Sequence, residues 1–112
     1  MHFKFYIKMA IIISDSNFEE LVLKSELPVM VDVYTEWCGP CCAIAPYIEQ
    51  MANEYEGKAL ICKVDAEKCP NVAEKYSITT VPTFLFIKGG ELVDKQVGVV
   101  KAALTEKLNA LL

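Results

Sequence analysis

The segment Val29-Met30-Val31-Asp32-Val33-Tyr34 constrains this chain more than any other stretch of it. Its residues are apolar at nearly every position, the pattern of a strand covered on both faces rather than on one. From Pro40 onward the spacing of apolar residues changes, and Ile44, Tyr47, Ile48, Met51 and Tyr55 fall on one helical face. A doubly covered strand running into an amphipathic helix calls for a sheet with helices packed on it, an α/β arrangement.

The rest of the chain alternates in the same way. Ala10–Ser14 is a β-branched run and reads as a strand. Ser16 and Glu19 have capping-box spacing, which predicts a helix with Phe18, Leu21 and Val22 on its inner face. Ala59–Val64 reads as the next strand and Val72–Tyr76 as a short helix. Thr83–Lys88, Gly89-Gly90 and Glu91–Val97 have the form of a hairpin, and Val100, Leu104, Leu108 and Leu111 give the face of a closing helix. The predicted order is βαβαβαββα: parallel units first, an antiparallel hairpin last, and helices on both faces of one central mixed sheet.

At 112 residues there is room for one core and not for two. Residues 9–112 read as a single domain, and residues 1–8 as an extension, native or left by cloning, ahead of a start at Met9. Lys4 and Lys8 break the only leader-like stretch, and no small-residue cleavage pattern follows. The net charge is −4, all eleven basic residues are lysine, and they are dispersed along the chain. Without a basic patch or arginine, nucleic acid is not the expected ligand. No apolar run reaches the ~20 residues of a membrane span.

Five cysteines, an odd number, include one tight C-x-x-C pair in Trp37-Cys38-Gly39-Pro40-Cys41, at the expected junction of strand and helix. In a short chain this pattern suits redox or metal chemistry in a reducing compartment better than a secreted disulfide framework. A thiolate attacks disulfides, and a helix amino terminus favours an anion through its free N–H groups and dipole. Two intervening residues let the second sulfur close a disulfide with the first. Pro40 suits the first helical turn, where its missing N–H is not needed. The competing reading is half of a tetrahedral zinc site, but a second C-x-x-C or a Cys/His pair is missing and His2 is the sole histidine. A purely structural disulfide would constrain so short a loop only slightly. Asp32 is an acid within an apolar strand; buried, its carboxyl would hold its proton more tightly than usual, and at a sheet edge it would simply be solvated.

Trp-Cys-Gly-Pro-Cys after an apolar strand, in this order of elements, resembles the thioredoxin family, and the likeness runs from about Met9 to Leu112. It implies the thioredoxin fold and reduction of protein disulfides, with Cys38 attacking and Cys41 resolving the mixed disulfide. It implies that Asp32 takes the proton of the resolving thiol and that Lys63, on the neighbouring strand, pairs with Asp32. Val81-Pro82-Thr83 matches the family's cis-proline segment, with Val81 offering backbone groups to an extended substrate. Gly98 matches the glycine that leaves room for a partner. Trp37, Gly39 and Pro40 would complete the substrate-binding rim with Val81, Pro82 and Gly98. The implied partners are a thioredoxin reductase and protein disulfides, for example of the peroxiredoxin type. No cofactor or metal is implied beyond the redox disulfide, and a cytoplasmic monomer is expected. An oxidase or isomerase of the same fold in an oxidising compartment, and a non-enzymatic binding module, are the alternatives.

Three cysteines lie outside the pair. Cys42 stands where the family usually has lysine or arginine, which removes a cation that would favour the Cys38 thiolate. Cys62, in a strand, reads as a small buried hydrophobe. Cys69, ahead of a short helix, reads as a free surface thiol on a loop.

Overall fold

The computed structural model describes residues 9–112, so the extension at 1–8 lies outside the described residues. Its elements are β1 (Ile11–Ile13), a short π-helical segment (Glu19–Leu23), β2 (Val29–Tyr34), α1 (Gly39–Glu54), β3 (Leu60–Asp65), α2 (Pro70–Lys75), β4 (Thr83–Lys88), β5 (Glu91–Val97) and α3 (Lys101–Asn109). The five strands form one mixed sheet in the order β1-β3-β2-β4-β5. β3 runs parallel to both β1 and β2, whereas β4 is antiparallel to β2 and to β5.

Side chains alternate across β2 and so divide the core into two layers. Met30, with Ile61, Phe84 and Phe86, packs under α1 and α3, which contribute Ile44, Ile48, Met51, Leu104 and Leu108. Val29, Val31 and Val33, with Cys62, Val64, Leu85 and Ile87, pack under the π-helical segment and α2 through Phe18, Val22 and Val72. Each fully buried side chain of this size stabilises the fold by about 1.5–3 kcal/mol. Asp32 has the parity of Met30, so it faces the α1 layer. α1 and α3 are also joined by hydrogen bonds, Tyr47 Oη with Thr105 Oγ1 at 2.7 Å and Tyr55 Oη donating to Asn109 Oδ1 at 2.6 Å.

Three local expectations are corrected. Ser16 and Glu19 do not form a capping box; Ser16 Oγ pairs with Ser14 Oγ, while Asn17 Oδ1 accepts the Ser14 N–H. The helix there closes by i→i+5 bonds, as in Lys24 N–H to Glu19 O. Its inner face is therefore Phe18, Val22 and half-buried Leu23, and Leu21 is exposed. Val100 is also exposed, because it precedes α3 in an extended conformation instead of lying on its apolar face. Cys69 is buried, not a surface thiol: the chain turns back through Cys69 N–H to Asp65 O, and Cys69 Sγ lies 3.4 Å from Ile13 O. Asp15 locks that arrangement, its carboxylate accepting the N–H groups of Asn71 and Val72 at the start of α2.

Candidate redox site at the start of α1

Cys38 is the N-cap of α1, with extended backbone (φ −86°, ψ 112°), and its sulfur accepts the Cys41 N–H at 3.1 Å. The helix begins at Gly39-Pro40, where proline's fixed φ suits the first turn and its lack of an N–H loses no bond. Cys38 and Cys41 are joined in a disulfide with a Cα–Cα separation of 5.2 Å. Cys38 is half-buried and Cys41 is 4% exposed, so the first sulfur is the one an incoming group can approach. Trp37, ahead of the pair, is 87% exposed, far beyond what a core tryptophan shows.

Asp32 enters the site from β2, beneath α1. It is 1% exposed, and its Oδ1 has no hydrogen-bond partner. Burial pushes its carboxyl up to about 7, an effect that Lys63 opposes and Glu49 reinforces. Asp32, Lys63, Cys41 and Cys42 line one cleft of about 220 Å³. A buried carboxyl and the inner sulfur of the disulfide thus share one partly enclosed space.

Lys63 sits beside Asp32 in the parallel register of β2 and β3, yet it makes no ion pair with it. Its Nζ lies 3.8 Å from Glu49 Oε2 and 5.0 Å from the centroid of the Tyr34 ring. The pairing implied by resemblance is therefore replaced by one with α1. Glu49 was not a sequence candidate, although it lies eight residues after Cys41, on the same face of the helix.

The remaining candidates lie on the β4 side. The Val81–Pro82 peptide bond is cis, Pro82 is buried and Val81 is half-buried. Gly98, at φ +86°, donates its N–H to Pro82 O at 2.9 Å, tying the end of β5 to the start of β4. Gln96 Nε2 reaches the carbonyls of Gly98 and Val100, a bracing role that the sequence did not signal. Gly39 has nothing within 4 Å of the position a Cβ would take, so it leaves open space beside the disulfide. Cys42 is exposed and Cys62 buried, and burial raises the thiol pKa of Cys62. No group of three or more Cys, His, Asp or Glu side chains among the described residues could hold a metal ion.

Residues 9–110 match the family model for thioredoxin. The chain is 48% identical over 98 residues to the chloroplastic M-type thioredoxin of Pisum sativum, covering 87% of this chain and 57% of that protein. It therefore spans little more than half the length of that relative. It is 48% identical over 85 residues to a thioredoxin of Chlorobaculum thiosulfatiphilum, covering 76% and 79% of the two chains. A thioredoxin of Synechocystis sp. is 46% identical over 88 residues, covering 79% and 82%.

Proposed function

The chain belongs to the thioredoxin family, and on that premise we propose that it is a dithiol carrier that reduces protein disulfides. The observation that carries this reading is the Cys38–Cys41 disulfide at the start of α1, its inner sulfur sharing a cleft with the buried Asp32 carboxyl, whose Oδ1 has no hydrogen-bond partner. In the reduced form the Cys38 thiolate attacks one sulfur of a substrate disulfide. A Cys38–substrate mixed disulfide forms and the first substrate thiolate leaves. Asp32 accepts the Cys41 proton, Cys41 attacks the Cys38 sulfur, and the second substrate thiolate departs. Two electrons have passed to the substrate, and the Cys38–Cys41 disulfide is restored. A carboxyl raised to about 7 suits this proton transfer, since a base works best with a pKa near the operating pH.

Trp37, Gly39, Pro40, Val81, Pro82 and Gly98 are the surface on which we place the substrate segment. Backbone pairing at Val81 favours an extended segment and tolerates varied side chains. The reading takes a thioredoxin reductase as electron donor and protein disulfides, such as those of peroxiredoxins, as acceptors. The disulfide itself is the only redox group it requires. A cytoplasmic monomer acting without nucleic acid or membrane completes it; no helix among the described residues is long and apolar enough to cross a membrane. Insulin reduction coupled to NADPH and a thioredoxin reductase tests the reading. Turnover that disappears in Cys38→Ser supports it, and failure of the unaltered protein to reduce insulin refutes it.

A further inference from the structure

The charged groups on the α1 side of the sheet are arranged in a way that the redox pair alone does not explain. Asp32 and Lys63 are direct neighbours across β2 and β3, and both have the parity of the α1 layer. A lysine beside a buried carboxylate would ordinarily close on it and hold it charged. Here the ammonium is turned to Glu49 Oε2 and the Tyr34 ring, and Asp32 Oδ1 is left with no partner. Glu49 is itself anchored, since its Oε1 accepts the Ala10 N–H at 2.7 Å from the chain just before β1. One carboxylate thus has two attachments, a backbone N–H on one oxygen and the lysine on the other.

We propose that Glu49 is a positioning residue, which holds the Lys63 ammonium off Asp32 and so keeps that carboxyl able to accept the Cys41 proton near neutral pH. The inference rests on the dithiol reading given above and deepens it. Were Lys63 paired with Asp32, the carboxylate would be ionised but a poor acceptor, its charge already satisfied. With Lys63 turned away, Asp32 binds a proton readily and returns it as readily at pH 7. The titratable groups around Asp32 are Lys63 and Cys62 of β3, Glu49, Cys42 and (once reduced) Cys41 of α1, Glu36 just ahead of α1 and, on its own strand, Tyr34. β4 presents Phe84 opposite it. Of these, only Lys63 is cationic, so its position governs how the site titrates.

Glu49→Gln keeps an oxygen for the Ala10 N–H and removes the charge that holds Lys63. The proton uptake of Asp32 is followed by carboxyl-carbon NMR in the oxidised full chain, with and without Lys63→Met. The midpoint, about 7 in the unaltered protein, drops in Glu49→Gln by roughly one pH unit as the freed ammonium closes on Asp32. In the Lys63→Met background the same substitution moves it by less than about half as much, because no cation remains to be released. The pH profile of mixed-disulfide resolution moves with the midpoint. An unmoved midpoint in Glu49→Gln overturns the inference. So does an equal drop with and without Lys63, which would mark Glu49 as a repelling charge only. The titration needs no substrate, so its outcome is separate from whether the protein reduces insulin.

Discussion

Burial gives Asp32 a double consequence, one for chemistry and one for stability. Its carboxyl keeps its proton in the folded chain up to about pH 7, while in the unfolded chain it loses it near 3.8. Between those values the folded state binds one proton more than the unfolded state, so stability falls as pH rises. The slope from this group is at most roughly 1.4 kcal/mol per pH unit across the window. Asp32→Asn, which cannot ionise, removes that slope, and its stability gain over the unaltered protein grows from pH 4 to pH 7. Denaturant titrations at several pH values read this directly; a slope that survives in Asp32→Asn would mean another group is responsible. Asp94, held below its ordinary value first by the Lys95 N–H, acts at more acidic pH and leaves the window clear. On the proposed mechanism the same substitution is also expected to slow resolution of the mixed disulfide, with Asp32 no longer there to take the Cys41 proton. Stability and turnover therefore move in opposite directions at this one position, as expected of a group kept for chemistry.

Among the elements, the β4–β5 hairpin shows how a local pattern specifies structure. Gly89 and Gly90 both have positive φ, 59° and 80°, the conformation that a two-residue hairpin turn requires. They are not equivalent. A Cβ at Gly90 would meet Leu23 O at 3.0 Å, whereas one at Gly89 has nothing within 4 Å. Gly90→Ala is expected to destabilise the chain by about 1–3 kcal/mol through strain and this contact. Gly89→Asn, a residue tolerated in the left-handed region, is expected to fall within about 1 kcal/mol of the unaltered chain. Equal losses at the two positions by thermal or denaturant unfolding would contradict the distinction. The hairpin and α1 were legible because their signals are local: a Gly-Gly turn between β runs, and apolar residues four, three and four apart from Ile44 to Tyr55. The π-helical segment was not, because a helix of wider turn carries no period that sets it apart from an α-helix over five residues. The burial of Cys69 was hidden for a different reason. A residue between strand and helix looks exposed until the Asp15 side chain, 54 positions earlier in sequence, is seen to fasten α2 against β1.

For the whole molecule, the sheet order does most to assemble the site. β2, central in the order, ends beside the start of α1 and carries Asp32 beneath that helix; β3, beside it, delivers Lys63; β4, on the other side, begins just after Pro82. The sequence announced the redox pair and its neighbours because each carries a recognisable residue type at a fixed distance from Cys38. The partner of Lys63 was not legible, since it depends on how α1 rotates over the sheet, and a glutamate on an amphipathic helix usually means only a solvated face. The two-layer core explains why these groups meet: β2, β3 and β4 are covered on both faces, so a side chain of theirs on the α1 face cannot slip to the other without inverting its strand. The most direct test of the account is mass spectrometry of the reduced Cys41→Ser protein after exposure to a disulfide-bonded protein such as insulin. A substrate adduct on Cys38 that accumulates and does not resolve is the predicted result, with no such adduct in Cys38→Ser. Normal turnover of insulin by Cys41→Ser, or an adduct carried on Cys42 in place of Cys38, would contradict it.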